Sequence, residues 1–327
     1  FVDGCTGYFC AMKDRIDSKV RMIIGPWGHG TMRLPTTSLG DVDFGQAAMR
    51  GYPAHHEVRK RWFDRWLRDE INGVEKDSPV EIFVMGGGSG KKTSKGLLDH
   101  GGYWRSENEW PIARTQFQTL NMTADGGLME LSAEECDSTS FIHDPDNPVP
   151  TAGGNMAHLS DIGEPEGGWN RVPEFGERAM AYGRGGSQIV PWGPMDQRER
   201  NWLIRCNESG SKLSERPDVL VFESSPVTED IEITGQVIVK LWVSSSALDT
   251  DFTAKLIDVY PPNSDYSEGY DMNLTDTVLR MRYRNSWTEP EMMQAGCVYP
   301  ITIVLPATSN LFKSGHRIRV DIASSNF

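Results

Sequence analysis

The 327-residue sequence lacks the features that would mark a membrane protein or a nucleic-acid-binding protein. No run approaches the ~18 consecutive apolar residues of a membrane-spanning helix. The 33 Lys and Arg are outnumbered by 46 Asp and Glu, which gives a net charge of −13. Such an acidic surface repels phosphate backbones, and no basic stripe offsets it. We therefore predict neither a membrane nor a nucleic acid as a partner.

Metal-ligand patterns are also missing. The five cysteines form no Cys-x-x-Cys pair and stand at no zinc-like spacing from a histidine. His55 and His56 lack a third ligand at metal spacing, and the two carboxylates of Asp249 and Asp251 are too few to indicate calcium. We expect no metal centre.

The first hundred residues have the order of a parallel α/β unit. A strand is predicted over 20–24, followed by a helix whose apolar positions run from Val58 to Ile71, and then by a second strand over 79–85. Asn72-Gly73 is predicted to end the helix. Trp62 and Trp66, one turn apart, are predicted to pack in the core. Two parallel strands need a crossover of this kind.

After about residue 104, short alternating runs replace the helical period. They are separated by Gly, Pro, Asn and Asp, which predicts a β-sandwich or jelly roll. The stretch 144–200 has little periodicity and is predicted to form long ordered loops. The predicted strands cover 115–120, 219–222, 231–233, 237–243, 252–259, 278–283, 299–305 and 317–322. With 38% hydrophobic residues, the chain can fill the cores of about two domains of ~150 residues each.

His29 is the first candidate for a catalytic side chain. It stands in Ile24-Gly25-Pro26-Trp27-Gly28-His29-Gly30, directly after the first predicted strand. Reactive groups gather beyond the carboxyl ends of parallel strands, and imidazole suits proton transfer near neutral pH. From spacing alone, an ordinary surface histidine is the slightly better interpretation.

Asp3 is the second candidate. It follows Phe1-Val2, which we predict to be the end of a strand, and it precedes His29 by enough residues for a crossover and a return strand. A carboxylate behind a histidine fixes its tautomer and stabilises the imidazolium that forms when a serine nucleophile reacts. The alternative is a turn aspartate bound to its own backbone.

The sequence contains no Gly-x-Ser-x-Gly motif, so it offers no recognisable serine nucleophile. In α/β-hydrolases the order along the chain is Ser, then Asp, then His, and a piece that begins at the acid would lack its serine. The first residue is Phe and the last strand stops without a tail. We therefore expect both ends to be cut from a longer chain.

Several segments, taken in order along nearly the whole chain, resemble a known family. They are Phe1–Gly4, Ile24–Gly30, Arg61–Leu67, Val80–Gly86, Asp144–Thr151 with Gly153-Gly154, Gly193–Arg198, Asp218–Phe222, Asp251–Leu256 and Gly315–Arg319. These segments are similar to those of the CocE/NonD-type hydrolases of the X-Pro dipeptidyl-peptidase superfamily.

The resemblance implies a fold of the α/β plus all-β class. Residues 1–103 would be the C-terminal portion of an α/β-hydrolase domain, and 104–327 a jelly-roll domain truncated at its end. It also implies serine hydrolysis of an ester or amide without a metal or organic cofactor, with Asp3 as the triad acid and His29 as the general base. The nucleophile, the oxyanion hole and a helical cap would lie upstream, so the chain alone would be inactive.

The expected substrate is a small-molecule ester, an amide or a short peptide, and a homo-oligomer is compatible with the sequence. Amino-acid ester hydrolases of this superfamily carry extra carboxylates just after the triad acid, whereas Gly4, Cys5 and Thr6 follow Asp3 here. We therefore favour a general acyl-ester or amide hydrolase. X-Pro dipeptidyl-peptidase activity and a non-catalytic β-sandwich binding module with a degenerate hydrolase remnant stay open. His316 is predicted to be structural.

Overall fold

The computed structural model describes residues 2–15, 19–28, 35–51, 54–130, 138–154, 193–200, 206 and 209–325. Within these ranges strands far outnumber helices, and none of the helices is long and apolar enough to cross a membrane. The α-helices described there are α1 (Val2–Lys13) and α2 (Ala54–Arg68). The strands are β1 (Met22–Ile24), β2 (Ser38–Leu39), β3 (Val42–Asp43), β4 (Val80–Met85), β5 (Leu98–Asp99), β6 (Gly102–Glu107), β7 (Asn121–Met122), β8 (Leu128–Met129), β9 (Leu220–Glu223), β10 (Ile231–Val243), β11 (Asp251–Tyr260), β12 (Tyr270–Arg280), β13 (Tyr299–Phe312) and β14 (Arg317–Ala323).

The chain divides into two compact units. Unit 1 comprises residues 1–117, 230–235 and 307–313, and unit 2 comprises 118–229, 236–306 and 314–327. Strands β10 and β13 therefore contribute residues to both units. The boundary at residue 103, between the expected α/β-hydrolase portion and the expected jelly-roll domain, stays a prediction.

A parallel pair of strands forms the centre of unit 1. β1 pairs in parallel with β4, with Met22 opposite Val80. β6 pairs antiparallel with β4 along its whole length, and β13 meets β4 where Asn310 lies opposite Met85. Because α2 lies between β1 and β4 along the chain, the predicted crossover between parallel strands is confirmed.

Helix α1 packs on this sheet through Phe9. The ring belongs to one buried apolar cluster with residues of β1, β4 and the segment after β6, namely Met22, Val80, Ile82, Val84, Trp110 and Ile112. Asp3 in the first turn and Lys13 in the last turn have the charge signs that the helix dipole favours. The prediction that Phe1-Val2 ends a strand is wrong for Val2, which begins α1, because two residues carry too little periodicity to distinguish the two structures.

Helix α2 differs from its prediction in both length and burial. It ends at Arg68 rather than at Asn72-Gly73, and Asp69 then adopts a left-handed conformation with φ 55°. The rings of Trp62 and Trp66 contact each other with centres 5.7 Å apart, yet Trp66 is 38% exposed. Core packing is therefore the wrong prediction for Trp66, since helical spacing shows which residues share a face and not what covers that face.

An antiparallel sheet in the order β12-β11-β14-β9 forms the centre of unit 2. β11 is paired with β12 on one side and with β14 on the other. Most predicted strands are confirmed, including those over 219–222, 252–259 and 317–322, while 231–233 and 237–243 belong to the single strand β10.

In two parts of the β-rich region, 115–120 and 144–200, the described residues form neither a helix nor an extended strand. The prediction of a strand over 115–120 is wrong: these residues form no ladder, and Phe117 is exposed. Alternation alone does not make a strand where no neighbouring strand supplies hydrogen bonds. Of the predicted loops over 144–200, residues 144–154 and 193–200 contain no helix or extended strand, and a bridge joins Gly154 to Gly193. Residues 155–192 lie outside the described residues.

Candidate functional site

The loop that leads to His29 begins where β1 ends. Residues 25–28 follow Ile24 at the carboxyl end of the parallel strand pair. His29 itself lies outside the described residues, so its role as a general base stays a prediction. The segment just before it is described, and specific contacts hold it in place.

Trp27 anchors this segment. Its ring folds back over Gly25, where an added Cβ would lie 2.7 Å from three atoms of the indole. The Trp27 backbone N–H donates to the Gly25 carbonyl oxygen at 2.8 Å, and the indole Nε1 donates to the Ala48 carbonyl oxygen at 2.9 Å. Residue 25 therefore has to be glycine because of the tryptophan two residues later.

Trp104 on β6 supports the same anchor. Its ring centre lies 5.4 Å from that of Trp27, and its Nε1 donates to the Ala47 carbonyl oxygen at 2.8 Å. The two indoles thus bind consecutive carbonyl groups of one short 3-10 helix, Gln46–Gly51. Phe83 on β4 packs edge-on against Trp104 with ring centres 5.4 Å apart, which joins the anchor to the sheet.

Asp3 lies in the first turn of α1, and its side chain is exposed. The hydroxyl of Thr6 donates to the backbone carbonyl oxygens of Val2 and Asp3 at 3.1 and 3.3 Å, so this turn is tied to the next. Because His29 lies outside the described residues, the pairing of Asp3 with His29 stays a prediction.

His316 has contacts that support its structural interpretation. It is buried, and its Nδ1 lies 2.7 Å from Oδ1 of Asp258, which is itself fully buried. Its ring centre lies 4.1 Å from that of Tyr260. These contacts lock the turn before β14 onto β11.

The two aspartates considered for calcium are held by arginines instead. Asp251 accepts two hydrogen bonds from Arg280, at 2.7 and 2.6 Å, and Asp249 accepts one from the Arg282 side chain at 3.2 Å. In the part of the chain that the structure describes, no group of three His, Cys, Asp or Glu is placed to hold a metal ion.

Unit 2 contains a buried charge network that was not predicted from the sequence. Arg319 donates to Asp271 from Nη1 at 2.8 Å, and to Asp321 from Nε at 2.9 Å and Nη2 at 3.2 Å. Lys255 lies opposite Asp321 in the β11–β14 ladder. The signal was present in the charged residues at every second position of β14, Arg317, Arg319 and Asp321, which place three charges on one face.

Burial sets the protonation behaviour of this network. It lowers the pKa of Lys255 and raises the pKa of Asp321, although Arg319 opposes the latter shift. Burial alone would lower the pKa of Arg319, but the charges of Asp321 and Asp271 raise it above its usual value. The network borders a pocket of about 510 Å³. Arg319 on β14 reaches Asp271 on β12, so the network spans the strand β11 that lies between them.

Comparison with known proteins places the chain in a family. A family model described as the X-Pro dipeptidyl-peptidase C-terminal non-catalytic domain matches residues 72–327. A protein named cocaine esterase, from Rhodococcus sp. (strain MB1 Bresler), is 32% identical over 337 aligned positions, which cover this whole chain and 47% of that protein. The chain belongs to the CocE/NonD hydrolases of the X-Pro dipeptidyl-peptidase superfamily.

A further relative and two solved structures extend the comparison. A protein of Mycobacterium bovis (strain ATCC BAA-935 / AF2122/97), a serine esterase by name, is 25% identical over 93% of this chain and 40% of its own length. The solved structure of an alpha-amino acid ester hydrolase matches this chain with a TM-score of 0.69 and 26% identity. The match covers all of this chain and 46% of the hydrolase chain. An aminopeptidase from a marine sediment archaeon, Thaumarchaeota archaeon, shares the fold with a TM-score of 0.61 and 23% identity. That match covers all of this chain and 46% of the aminopeptidase chain. The chain spans about half the length of the relatives it matches.

The range that the family model matches begins inside the α/β unit of this chain. Residue 72 lies between α2 and β4, so β1 precedes the range described as non-catalytic while its hydrogen-bonded partner β4 lies inside it. One continuous sheet therefore crosses the start of that range.

Proposed function

We propose that the longer protein to which this chain belongs is a serine hydrolase that cleaves acyl ester or amide bonds. The observation that carries the proposal is the 32% identity to a cocaine esterase along the entire chain. The parallel pairing of β1 with β4 supports it, because the segment before His29 leaves the sheet edge at which reactive groups gather. Residues 104–327 would then form the jelly-roll domain of the family.

In the proposed mechanism, His29 acts as the general base and Asp3 orients it. The hydroxyl oxygen of a serine upstream of Phe1 attacks the acyl carbon, and His29 takes the hydroxyl proton. When the bond to the leaving group breaks, His29 returns that proton to it, and the acyl-enzyme remains. Water then attacks the acyl-enzyme by the same proton transfers and releases the acid and the free serine. The chemistry needs no metal or organic cofactor.

The start of α1 supports an acyl-ester or amide substrate over an amino-acid ester. A site for the ammonium group of an amino-acid ester needs a negative charge, whereas the three residues after Asp3 are Gly4, Cys5 and Thr6. The hydroxyl of Thr6 is moreover occupied by backbone carbonyl groups. X-Pro dipeptidyl-peptidase activity is the second candidate, because the family model that matches is named after such peptidases.

The test uses the complete natural protein and a fluorophosphonate probe, with the labelled peptide identified by mass spectrometry. We expect one labelled serine upstream of Phe1, with labelling reduced by p-nitrophenyl acyl esters. His29→Ala should abolish turnover without unfolding the protein. His143→Ala, at an exposed histidine, is the matched control and should leave turnover unchanged.

The outcomes separate the candidates. Faster turnover of X-Pro p-nitroanilides than of acyl esters would favour the peptidase. A folded protein without label would favour a non-catalytic binding module, and full kcat in His29→Ala would refute the role of His29.

A further inference from the structure

One face of the sheet β12-β11-β14-β9 carries charged side chains. Arg319 lies opposite Glu223 in the β14–β9 ladder, and Lys255 lies opposite Asp321 in the β11–β14 ladder. Arg319, Lys255 and Asp321 are buried, although a sheet face that packs into a core is normally apolar. Apolar residues would stabilise a core as well as paired charges do, so charges on such a face are expected where the face has a function.

A pocket of about 510 Å³ lies over the end of this face where β11 finishes and β14 begins, and all of its lining residues belong to unit 2. Sites for small molecules have volumes of about 300–1,000 Å³. The buried side chains of Arg319 and Asp271 are part of the lining, which also contains two further cationic and three further acidic side chains. A ligand in the pocket can therefore reach the polar face of the sheet.

Two ion pairs lie in the lining of this pocket. Arg319 donates to Asp271 at 2.8 Å, and Nε of Arg317 lies 3.5 Å from Oε1 of Glu223. An ionic ligand would compete with one member of each pair and would face a like charge on the other member. The two ion pairs therefore favour a ligand without a net charge.

The other charged groups of the lining also balance one another. Oε2 of Glu268 lies 2.8 Å from Nη2 of Arg198, and Nζ of Lys212 donates to the backbone carbonyl oxygen of Glu268 at 3.2 Å. Glu215 is exposed. Guanidinium and carboxylate groups have more N–H groups and lone pairs than one ion pair uses, so they can bind the hydroxyl groups of a neutral ligand and still keep each other.

We propose that this pocket binds a neutral carbohydrate of one or two sugar rings. Each sugar hydroxyl is both a donor and an acceptor, so it suits a lining in which cations and carboxylates alternate. The C–H faces of a sugar ring have apolar partners in the lining residues Pro226, Pro261 and Pro262. An extended peptide fits less well, because the N–H of Glu223 on β9 already donates to the Gly126 carbonyl oxygen at 2.8 Å and is not available for strand addition.

The test measures the binding of the methyl glycosides of glucose, galactose and mannose to the complete natural protein by saturation-transfer NMR, with a titration for Kd. These compounds contain no ester or amide bond, so the proposed hydrolase activity does not consume them. We expect at least one of the three to bind. Arg317→Met removes a charged donor of the pocket and should raise the Kd of that glycoside by about 10- to 100-fold.

Arg280→Met is the matched control. It makes the same change at an ion-paired arginine of β12 whose side chain is 47% exposed and which is not part of the pocket lining. We expect this variant to bind the glycoside with the Kd of the wild type.

Charged analogues test the preference for a neutral ligand. The uronic acid and the amino sugar of the glycoside that binds carry a negative and a positive charge at slightly acidic pH, and both should bind more weakly than the glycoside. No binding of any of the three glycosides, tighter binding of a charged analogue, or an equal Kd in Arg317→Met would each overturn the proposal.

A second variant covers the case in which Arg317→Met does not fold. Glu215→Gln should then weaken binding, with Glu289→Gln as the control at another exposed glutamate, and an equal Kd in both would overturn the proposal. Labelling by fluorophosphonate enters none of these outcomes. A failure of the proposed hydrolase function is therefore distinguishable from a failure of the carbohydrate site.

Discussion

Replacement of Arg319 by methionine is expected to destabilise the protein strongly, because it leaves the buried carboxylates of Asp271 and Asp321 without the cation that hydrogen-bonds to them. Lys212 Nζ lies 4.0 Å from Asp271 Oδ2, too far to replace that hydrogen bond. Arg319, Asp271 and Asp321 are each no more than 5% exposed, and three hydrogen bonds of 2.8–3.2 Å join them. Removal of one partner from a buried ion pair costs about 3–5 kcal/mol. Methionine is long and flexible enough to fill most of the space, so a cavity adds little.

Arg317→Met is the matched control, on the same strand and two residues away. The Arg317 side chain is 41% exposed, and its Nε lies 3.5 Å from Oε1 of Glu223. An exposed pair of this kind contributes about 0–1 kcal/mol. Its other contact is a hydrogen bond from Nη1 to the Ser224 carbonyl oxygen, of about 0.5–1.5 kcal/mol. We expect a total cost of about 1 kcal/mol, clearly below that of Arg319→Met.

The deficit of Arg319→Met should also depend on pH. Burial raises the pKa of Asp321, and loss of the arginine raises it further. A carboxyl group with a raised folded-state pKa stabilises the fold below its unfolded pKa of about 3.9 and loses that contribution as pH rises through the folded value. Relative to wild type, the variant should therefore be least impaired near pH 4 and most impaired near neutral pH.

Equilibrium urea unfolding of wild type and both variants, at pH 4.5 and 7.5, measures these differences. If Arg319→Met and Arg317→Met lowered the free energy of unfolding by similar amounts, Asp271 and Asp321 would have to move into solvent when Arg319 is lost. A large deficit that is the same at both pH values would show that Asp321 takes up no proton between them. Either result would refute the reasoning from buried charge.

Three further predictions concern unit 1. Glu107 is buried, and its pKa is lowered, first by hydrogen bonds from Arg114. It therefore stabilises the fold at pH values above its ordinary pKa, and this contribution is lost as the pH falls through its folded-state pKa. In urea unfolding, Glu107→Gln should cost about 2 kcal/mol at pH 7 and little in strong acid. Gly102→Ala should lower the melting temperature, since φ is 149° and a Cβ would lie 2.2 Å from a ring atom of Phe83. Gly7→Ala, inside α1 with open space around it, should instead raise stability by about 0.5–1 kcal/mol. In the complete protein Asp3→Asn should lower kcat by about 10⁴-fold, as in a serine-protease triad, and an unchanged kcat would place the triad acid elsewhere.

Local signals were sufficient for much of the fold. The strands β1 and β4, the helix between them and most strands of unit 2 were predicted, because apolar periodicity and Gly or Pro turns depend on neighbours in sequence. The same holds for the histidine segment, whose Gly-Pro turn follows a strand. The family resemblance added the roles of Asp3 and His29, which spacing alone left open.

Only the tertiary structure decided what covers each face and which partner each charge meets. Helical spacing placed Trp62 and Trp66 together but could not show that Trp66 stays exposed. Alternation could place Arg319 and Asp321 on one face of β14, but the burial of both depends on how the rest of unit 2 packs over that face. The contact of Trp27 with Trp104 joins residues that are far apart in sequence, because β6 pairs with β4 and β4 with β1. Periodicity is a property of neighbouring residues, whereas burial and ion pairing are properties of the surfaces that folding brings together.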